Sequence, residues 1–289
     1  MWLDMTAKNI DGKLLAQKIR EKVKQEVLEL KQKGITPGLA VIIAGDDPAS
    51  RVYVNNKKKA CEDVGIYSEE YSLPAETTQD ELVELIQKLN EKPEINGILL
   101  QHPTPKHLNE RSAFNVIAPH KDVDGFHPIN MGNLCLGEDG FVPCTPAGVM
   151  EMLKEYNVEV SGKECVILGR SNIVGKPQAF LLLKENGTVT ICHSKTQNIV
   201  EICKRADILI AAIGKAKFVN GDMIKSGAVV IDVGMNRDEE TKKLVGDVDY
   251  ESVKEVASLI TPVPGGVGPM TIAMLLKNTV KAARMAIGY

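Results

Sequence analysis

No run of apolar residues in this chain approaches the roughly 20 needed to cross a bilayer as a helix, so a membrane-spanning role is not expected. No Cys-x-x-Cys pair occurs among Cys61, Cys135, Cys144, Cys165, Cys192 and Cys203, which argues against a zinc site or a disulfide framework and fits a reducing cytosol. Neither sign of charge dominates. The 35 Lys and Arg residues are interspersed with 38 Asp and Glu for a net charge of −3, leaving no footprint for nucleic acid or an anionic membrane. His102 and His107 have Pro103 and Pro105 between them, so helical metal-ligand spacing is excluded and no metal is expected. The opening Met1-Trp2-Leu3-Asp4-Met5-Thr6 has neither the basic region nor the apolar core of a signal sequence, so a soluble cytoplasmic protein is expected. There is no internal repeat or low-complexity segment. What remains is 289 residues, 44% of them hydrophobic, enough for two medium domains handling small molecules.

Short apolar runs recur at Leu39–Ala44, Gly97–Leu100, Cys165–Leu168, Val189–Cys192, Ile208–Ile213 and Ala228–Val233, with amphipathic segments between most of them. Strands covered on both faces by helices should be nearly all apolar, as these are, so a parallel α/β fold is expected. Leu15, Ile19, Val23, Val27 and Leu30 form a helical stripe over Leu14–Lys33, ended by Gly34. Asp122–Pro146, rich in Gly, Pro and Asn, reads as a hinge where a catalytic cleft would open.

The run Val166-Ile167-Leu168 breaks into Gly169-Arg170-Ser171-Asn172-Ile173-Val174-Gly175-Lys176-Pro177 and then a helical pattern. A strand delivering glycines to a helix N-terminus is how α/β proteins hold a dinucleotide pyrophosphate. Ser171 stands in place of the usual second glycine, and Gly175 falls one residue late, so a ligand-free strand-turn-helix is the competing interpretation. The next strand ends at His193-Ser194-Lys195-Thr196, where an NAD site would carry an acid for the ribose. Arg170, Ser194 and Lys195 offer donors and positive charge instead, which suits the 2′-phosphate of NADP unless they are merely solvated loop residues.

Three other segments could carry chemistry. Ser50 is a candidate N-cap for a helix on which Tyr53 and Lys57, four apart, share a face; a buried lysine there could be a general base, against a solvated run of Lys57, Lys58 and Lys59. Asp122-Val123-Asp124-Gly125 offers carboxylates that could bind the N–H edge of a heterocycle or close an Asx turn. Pro262-Val263-Pro264-Gly265-Gly266-Val267-Gly268-Pro269 is stiff yet open to close backbone approach, suited to lining a ligand or to a plain loop before the last helix.

Together, Ser50-x-x-Tyr53-Val54-x-x-Lys57, Lys121-Asp122-Val123-Asp124-Gly125-Phe126-His127-Pro128, Pro143-Cys144-Thr145-Pro146, the Gly169–Pro177 turn, Cys192-His193-Ser194 and Pro262–Thr271 resemble the bifunctional methylenetetrahydrofolate dehydrogenase/methenyltetrahydrofolate cyclohydrolase family. The resemblance spans nearly the whole chain. It implies an N-terminal α/β catalytic domain over 1–122, completed by a C-terminal helix at 270–289, a hinge at 123–146 and an NADP-binding Rossmann domain at 147–269, with a folate cleft between the domains and pairing as a homodimer. It implies oxidation of 5,10-methylenetetrahydrofolate with NADP and hydrolysis of the methenyl cation to 10-formyltetrahydrofolate at the same site. Lys57 matches the catalytic lysine, Tyr53 the stacking tyrosine, Gln101 the glutamine that tunes the lysine, and Asp124 the pterin carboxylate. Ser50, Pro264, Gly265 and Gly266 are further substrate candidates; Gly169, Arg170, Ser171, Ile173, Val174, Gly175, His193, Ser194 and Thr196 are the cofactor candidates. After Gln101 the family commonly continues Leu-Pro-Leu-Pro, whereas this chain has His102-Pro103-Thr104-Pro105. That departure leaves open a dehydrogenase with weak cyclohydrolase activity, and a non-catalytic NADP sensor is the alternative from another class.

Overall fold

The computed structural model describes residues 6–238 and 241–288. Along the chain run β1 (Lys8–Asn9), α1 (Gly12–Gln32), β2 (Gly38–Ala44), α2 (Pro48–Val64), β3 (Tyr67–Leu73), α3 (Gln79–Glu91), β4 (Gly97–Leu100), α4 (Glu110–Val116), α5 (Pro128–Leu136) and α6 (Cys144–Glu155). They are followed by β5 (Glu164–Leu168), α7 (Gly175–Lys184), β6 (Thr188–Cys192), α8 (Ile199–Cys203), β7 (Ile208–Ala211), β8 (Val229–Asp232), β9 (Asn236–Arg237), β10 (Leu244–Val245), α9 (Tyr250–Lys254), β11 (Leu259–Ile260) and α10 (Val267–Met285). All six apolar runs became strands. Helix α1 buries the expected stripe of Leu15, Ile19, Val23, Val27 and Leu30, and ends where Gly34 turns left-handed at φ 78°.

The chain forms two compact units. Gln17–Cys144 and the segment from Ile272 onward make one; the chain up to Ala16 and Thr145–Thr271 make the other. Residues 6–16 therefore belong with the later unit, where β1 pairs in parallel with β11. The segment expected as a hinge, 123–146, carries α5 and the buried ring of Phe141. The apolar residues of α5 form no single buried stripe, with Leu134 buried but Ile129 and Leu136 exposed, and the helix is bounded by its caps: His127 Nδ1 accepts from Ile129 N, Pro128 opens the helix, and Gly137 closes it at φ 78°.

In the first unit three parallel strands lie in the order β3-β2-β4. β2 and β4 are wholly buried, and Ala40, Ile42, Ile98 and Leu100 pack with Leu82, Ile86 and Leu89 of α3. β3 is an edge strand with Glu69 and Glu70 in mid-strand and its faces partly open, so it gave no apolar signal. The second unit holds a parallel sheet in the order β1-β11-β8-β7-β5-β6; its central strands β7 and β8 are wholly buried and apolar but for Asp232, which ends β8. All six cysteines are free thiols; Cys135 on α5 is exposed and the others are buried.

Candidate functional site

Parallel strands β2 and β4 end side by side, and the polar residues of the first unit gather where they end. Asp47 and Pro48 start α2 just beyond β2: the Asp47 carboxylate accepts from Ser50 N at 2.7 Å, with Pro48 as first helical residue. The cap is therefore Asp47 rather than Ser50, since a carboxylate followed by a helix-opening proline outcompetes a hydroxyl three residues later. Ser50 is buried inside the first turn. Tyr53 is half-buried, with its hydroxyl pKa pushed up by burial, and Lys57 lies one turn on. Lys57 is only 8% exposed while Lys58 and Lys59 face solvent, so the three lysines are not one solvated run.

Gln101 is the residue after β4, its N–H bound to Ile42 O of β2. Its Oε1 accepts from Lys57 Nζ at 3.0 Å, while its Nε2 donates to His102 O at 2.7 Å, which fixes the amide with its oxygen toward the lysine. His102 Nδ1 sits 2.8 Å from Glu110 Oε2, and Glu110 Oε1 also accepts from Thr104 N at 2.6 Å. The histidine ring is thus tied outward to Glu110.

The Lys121–Gly125 segment reaches the same place by pairing with β4, where Ile98 N donates to Lys121 O at 2.8 Å. Its two carboxylates have different surroundings. Asp122 closes the turn, accepting from Phe126 N, His127 N and Asn130 Nδ2. Asp124 instead faces Lys57, whose positive charge opposes the upward pull of burial on its carboxyl pKa. Burial holds the Lys57 amine pKa below its ordinary value, with Asp124, Cys144 and Cys61 opposing that shift. The amine is thus drawn toward its neutral, proton-accepting form.

Sequence reasoning did not single out the groups that hold Asp124. The Cys144 thiol donates to Val123 O at 3.4 Å and helps hold the neighbouring Asp124 carboxyl pKa down, and Asn278 of α10 donates to Val123 O at 2.8 Å and Val142 O at 3.1 Å. Cys144 appeared only within a motif. Asn278 lies over 150 residues from Val123, and no local spacing could have paired them.

In the second unit the glycine turn follows β5. Gly169 has φ 121°, and a Cβ there would strike Ala212 O; a Cβ on Gly175, the first residue of α7, would strike Gly169 O. The late glycine is therefore a packing requirement between turn and helix, and the backbone comes as close to its surroundings as a phosphate cradle demands. Ser171 Oγ accepts from Val174 N at 3.1 Å and from Gly175 N at 3.4 Å, so the hydroxyl takes over part of the N-terminal capping. Ile173 and Val174 are half-buried behind it, and Arg170 is exposed. After β6, Thr196 Oγ1 accepts from His193 N and the His193 ring accepts from Lys195 N, leaving the exposed Ser194 at the tip of the turn. The donor set fits a dinucleotide with an extra phosphate: glycine backbone and a helix N-terminus beside a guanidinium and a hydroxyl, with no carboxylate among the proposed contacts. Pro264, Gly265 and Gly266 belong to this second unit, where Gly265 O accepts from Lys13 N and Gly266 leaves no room for a Cβ on Gly12. Among the described residues no group of three His, Cys, Asp or Glu side chains is placed to hold a metal ion.

A parallel sheet with a glycine cradle, together with a second α/β unit centred on a desolvated lysine, defines an α/β enzyme of the dinucleotide-dependent class. The chain belongs to the tetrahydrofolate dehydrogenase/cyclohydrolase family: the family model for the catalytic domain matches residues 10–124, and that for the NAD(P)-binding domain matches residues 143–287. It is 64% identical to the bifunctional protein FolD of Acetivibrio thermocellus over 97% of this chain and 98% of that protein. Its structure is similar to that of the Campylobacter jejuni bifunctional dehydrogenase/cyclohydrolase, with a TM-score of 0.95 and 51% identity, covering 96% of this chain and 99% of that one. The Trypanosoma brucei enzyme, solved with NADP and an inhibitor, matches with a TM-score of 0.95 and 40% identity over 98% and 99% of the two chains.

Proposed function

We propose that Lys57 is the general base and Asp124 the pterin anchor of a chain that oxidises 5,10-methylenetetrahydrofolate with NADP and hydrolyses the resulting methenyl cation to 10-formyltetrahydrofolate. The observation that carries this reading is the Lys57 Nζ to Gln101 Oε1 bond inside a buried site faced by Asp124. A base for water must be uncharged when it acts. Burial already disfavours the ammonium form, and a cationic substrate beside the amine disfavours it further. Gln101 takes one N–H of the amine and so aims its lone pair; Asp124 presents acceptors to the donor edge of a pterin. Tyr53, one helical turn before Lys57, supplies the aromatic face on which the substrate stacks, with Ser50 beside it. Pro264, Gly265 and Gly266 are the remaining substrate residues.

NADP, when bound, accepts the hydride from the methylene bridge. Gly169, Ser171, Ile173, Val174 and Gly175 cradle its pyrophosphate, while Arg170, His193, Ser194 and Thr196 hold the adenosine side, with Arg170 and Ser194 on the 2′-phosphate. We assign folate binding to the unit of 17–144 with 272–288 and cofactor binding to the unit of 6–16 with 145–271, in place of the sequence-read bounds 1–122 with 270–289, 123–146 and 147–269, in a cytoplasmic homodimer. Six free thiols suit a reducing compartment. Sedimentation velocity and cell fractionation check those last two assignments.

The deciding experiment follows NADPH formation and loss of the methenyl chromophore on one preparation. NADPH without chromophore decay would mark a dehydrogenase alone, and neither signal would mark a binding protein.

A further inference from the structure

Two buried carboxylates of the second unit have no part in the chemistry above. Asp247, between β10 and α9, is 0% exposed, and Asp232, the last residue of β8, is 3% exposed. Asp247 collects the N–H groups of three successive residues after β7, Ile213 at 2.7 Å, Gly214 at 3.0 Å and Lys215 at 2.8 Å, and Asn236 Nδ2 at 2.9 Å. Asp232 accepts from Gly234 N, Asp247 N and Val248 N, each at 2.9 Å, and its own N–H donates to Thr261 Oγ1 just beyond β11. Seven donors thus end on two side chains. They tie together the segments that leave β7 and β8, neighbours at the carboxyl edge of the sheet, and Asp232 is itself tied to the segment leaving β11.

We propose that Asp247 and Asp232 are positioning residues for the NADP site, holding the Ala212–Lys215 and Val233–Asn236 segments as a rigid floor for the cofactor. The proposal rests on the dinucleotide reading of this unit. Ligands of open parallel sheets bind outside the carboxyl ends of the strands, and the glycine turn after β5 abuts this floor directly, since a Cβ on Gly169 would strike Ala212 O. The surroundings are fitted to the two carboxylates. A Cβ on Gly234 would collide with the Asp247 side chain, and one on Gly246 with that of Asp232. A purely space-filling role would be served better by apolar side chains, because burying a carboxylate is costly unless several donors converge on it. Burial, with the charge of Asp247 adding, pushes the Asp232 pKa up to about 7, a measure of that cost. What the carboxylates provide is convergence: one acceptor fixes three consecutive N–H groups that nothing else in a loop would align.

Hydrolysis of methenyltetrahydrofolate consumes no dinucleotide, so it serves as an internal control for folding. D247N places an amide N–H₂ among backbone donors, and the KM for NADP should rise about tenfold or more, with kcat at saturating NADP and the hydrolysis rate within a factor of about three of the unsubstituted enzyme. N236A, which removes one donor and leaves the carboxylate with its three backbone partners, should raise the same KM about two- to threefold and serves as the decisive variant should D247N not fold. An unchanged KM for NADP in N236A and in folded D247N, or proportional loss of both activities, overturns the proposal. Absence of any NADP turnover in the unsubstituted enzyme would overturn the dinucleotide reading, and the proposal with it.

Discussion

Around Lys57 the working groups are side chains held by other side chains, whereas around Gly169 they are backbone groups laid bare where side chains are missing. The first arrangement tunes protonation: desolvation by the protein interior, an amide at 3.0 Å and a carboxylate facing the amine together set the state of one nitrogen. The second tunes shape, with a Cβ on Gly169 excluded by Ala212 and one on Gly175 excluded by the Gly169 backbone. Deleting an atom should therefore damage the first region, and adding one should damage the second.

Lys57→Met should give the largest effect. It keeps most of the stem and removes the amine, so hydrolysis should fall on the order of a hundredfold or more while NADPH formation falls less. Methenyl chromophore would then persist during turnover; equal loss of both rates with folate still bound would make Lys57 a positioning group. Arg170→Ala comes next. It deletes a side chain from the backbone-built region, and a charge-assisted contact to the 2′-phosphate is worth about 1.5–3 kcal/mol, so NADP affinity should drop roughly ten- to a hundredfold with NAD nearly untouched. Titrating both cofactors decides it, and parallel weakening would remove Arg170 from the phosphate.

Asp124→Asn turns an acceptor into a donor facing the pterin and should weaken folate binding about tenfold, with the melting temperature nearly unchanged. It also carries a sign. Asp124 raises the Lys57 pKa, so its removal lets the ammonium lose its proton at lower pH, and the rising limb of the hydrolysis profile should move to lower pH. A shift toward higher pH would show that Asp124 does not act on the lysine. The smallest change chemically, Gly175→Ala, adds one methyl against the Gly169 backbone and should cost about 1–3 kcal/mol of stability along with NADP binding. Calorimetry with and without NADP measures it, and a neutral result would mean the turn relaxes freely.

The same contrast explains what was legible in the sequence. The central strands and α1 announce themselves because burial on both faces, or on one helical stripe, demands apolar residues in a fixed pattern. β3 and α5 do not, since an edge strand tolerates Glu69 and Glu70, and a short helix set by its caps needs little apolar face. Lys57 and Asp124 stood out as motif residues and Gln101 through the family resemblance, but the different surroundings of Asp122 and Asp124 depend on how the segment pairs with β4. Cys144 and Asn278 were invisible for the same reason: their roles exist only once distant strands and helices have met.

The distribution of sulfur has a practical corollary in reagent chemistry. Thiolates, not thiols, attack alkylating and disulfide reagents. Burial pushes the Cys61 and Cys203 thiols up to about 12 and Cys165 up to about 11, and raises Cys144 and Cys192 as well, while only Cys135 lies at the surface. A neutral solution of the native protein should thus consume one equivalent of a thiol reagent quickly, and the other five only as the chain opens. Each molecule carries its own unfolding counter, and Cys135 is a single attachment point for a fluorophore or a surface.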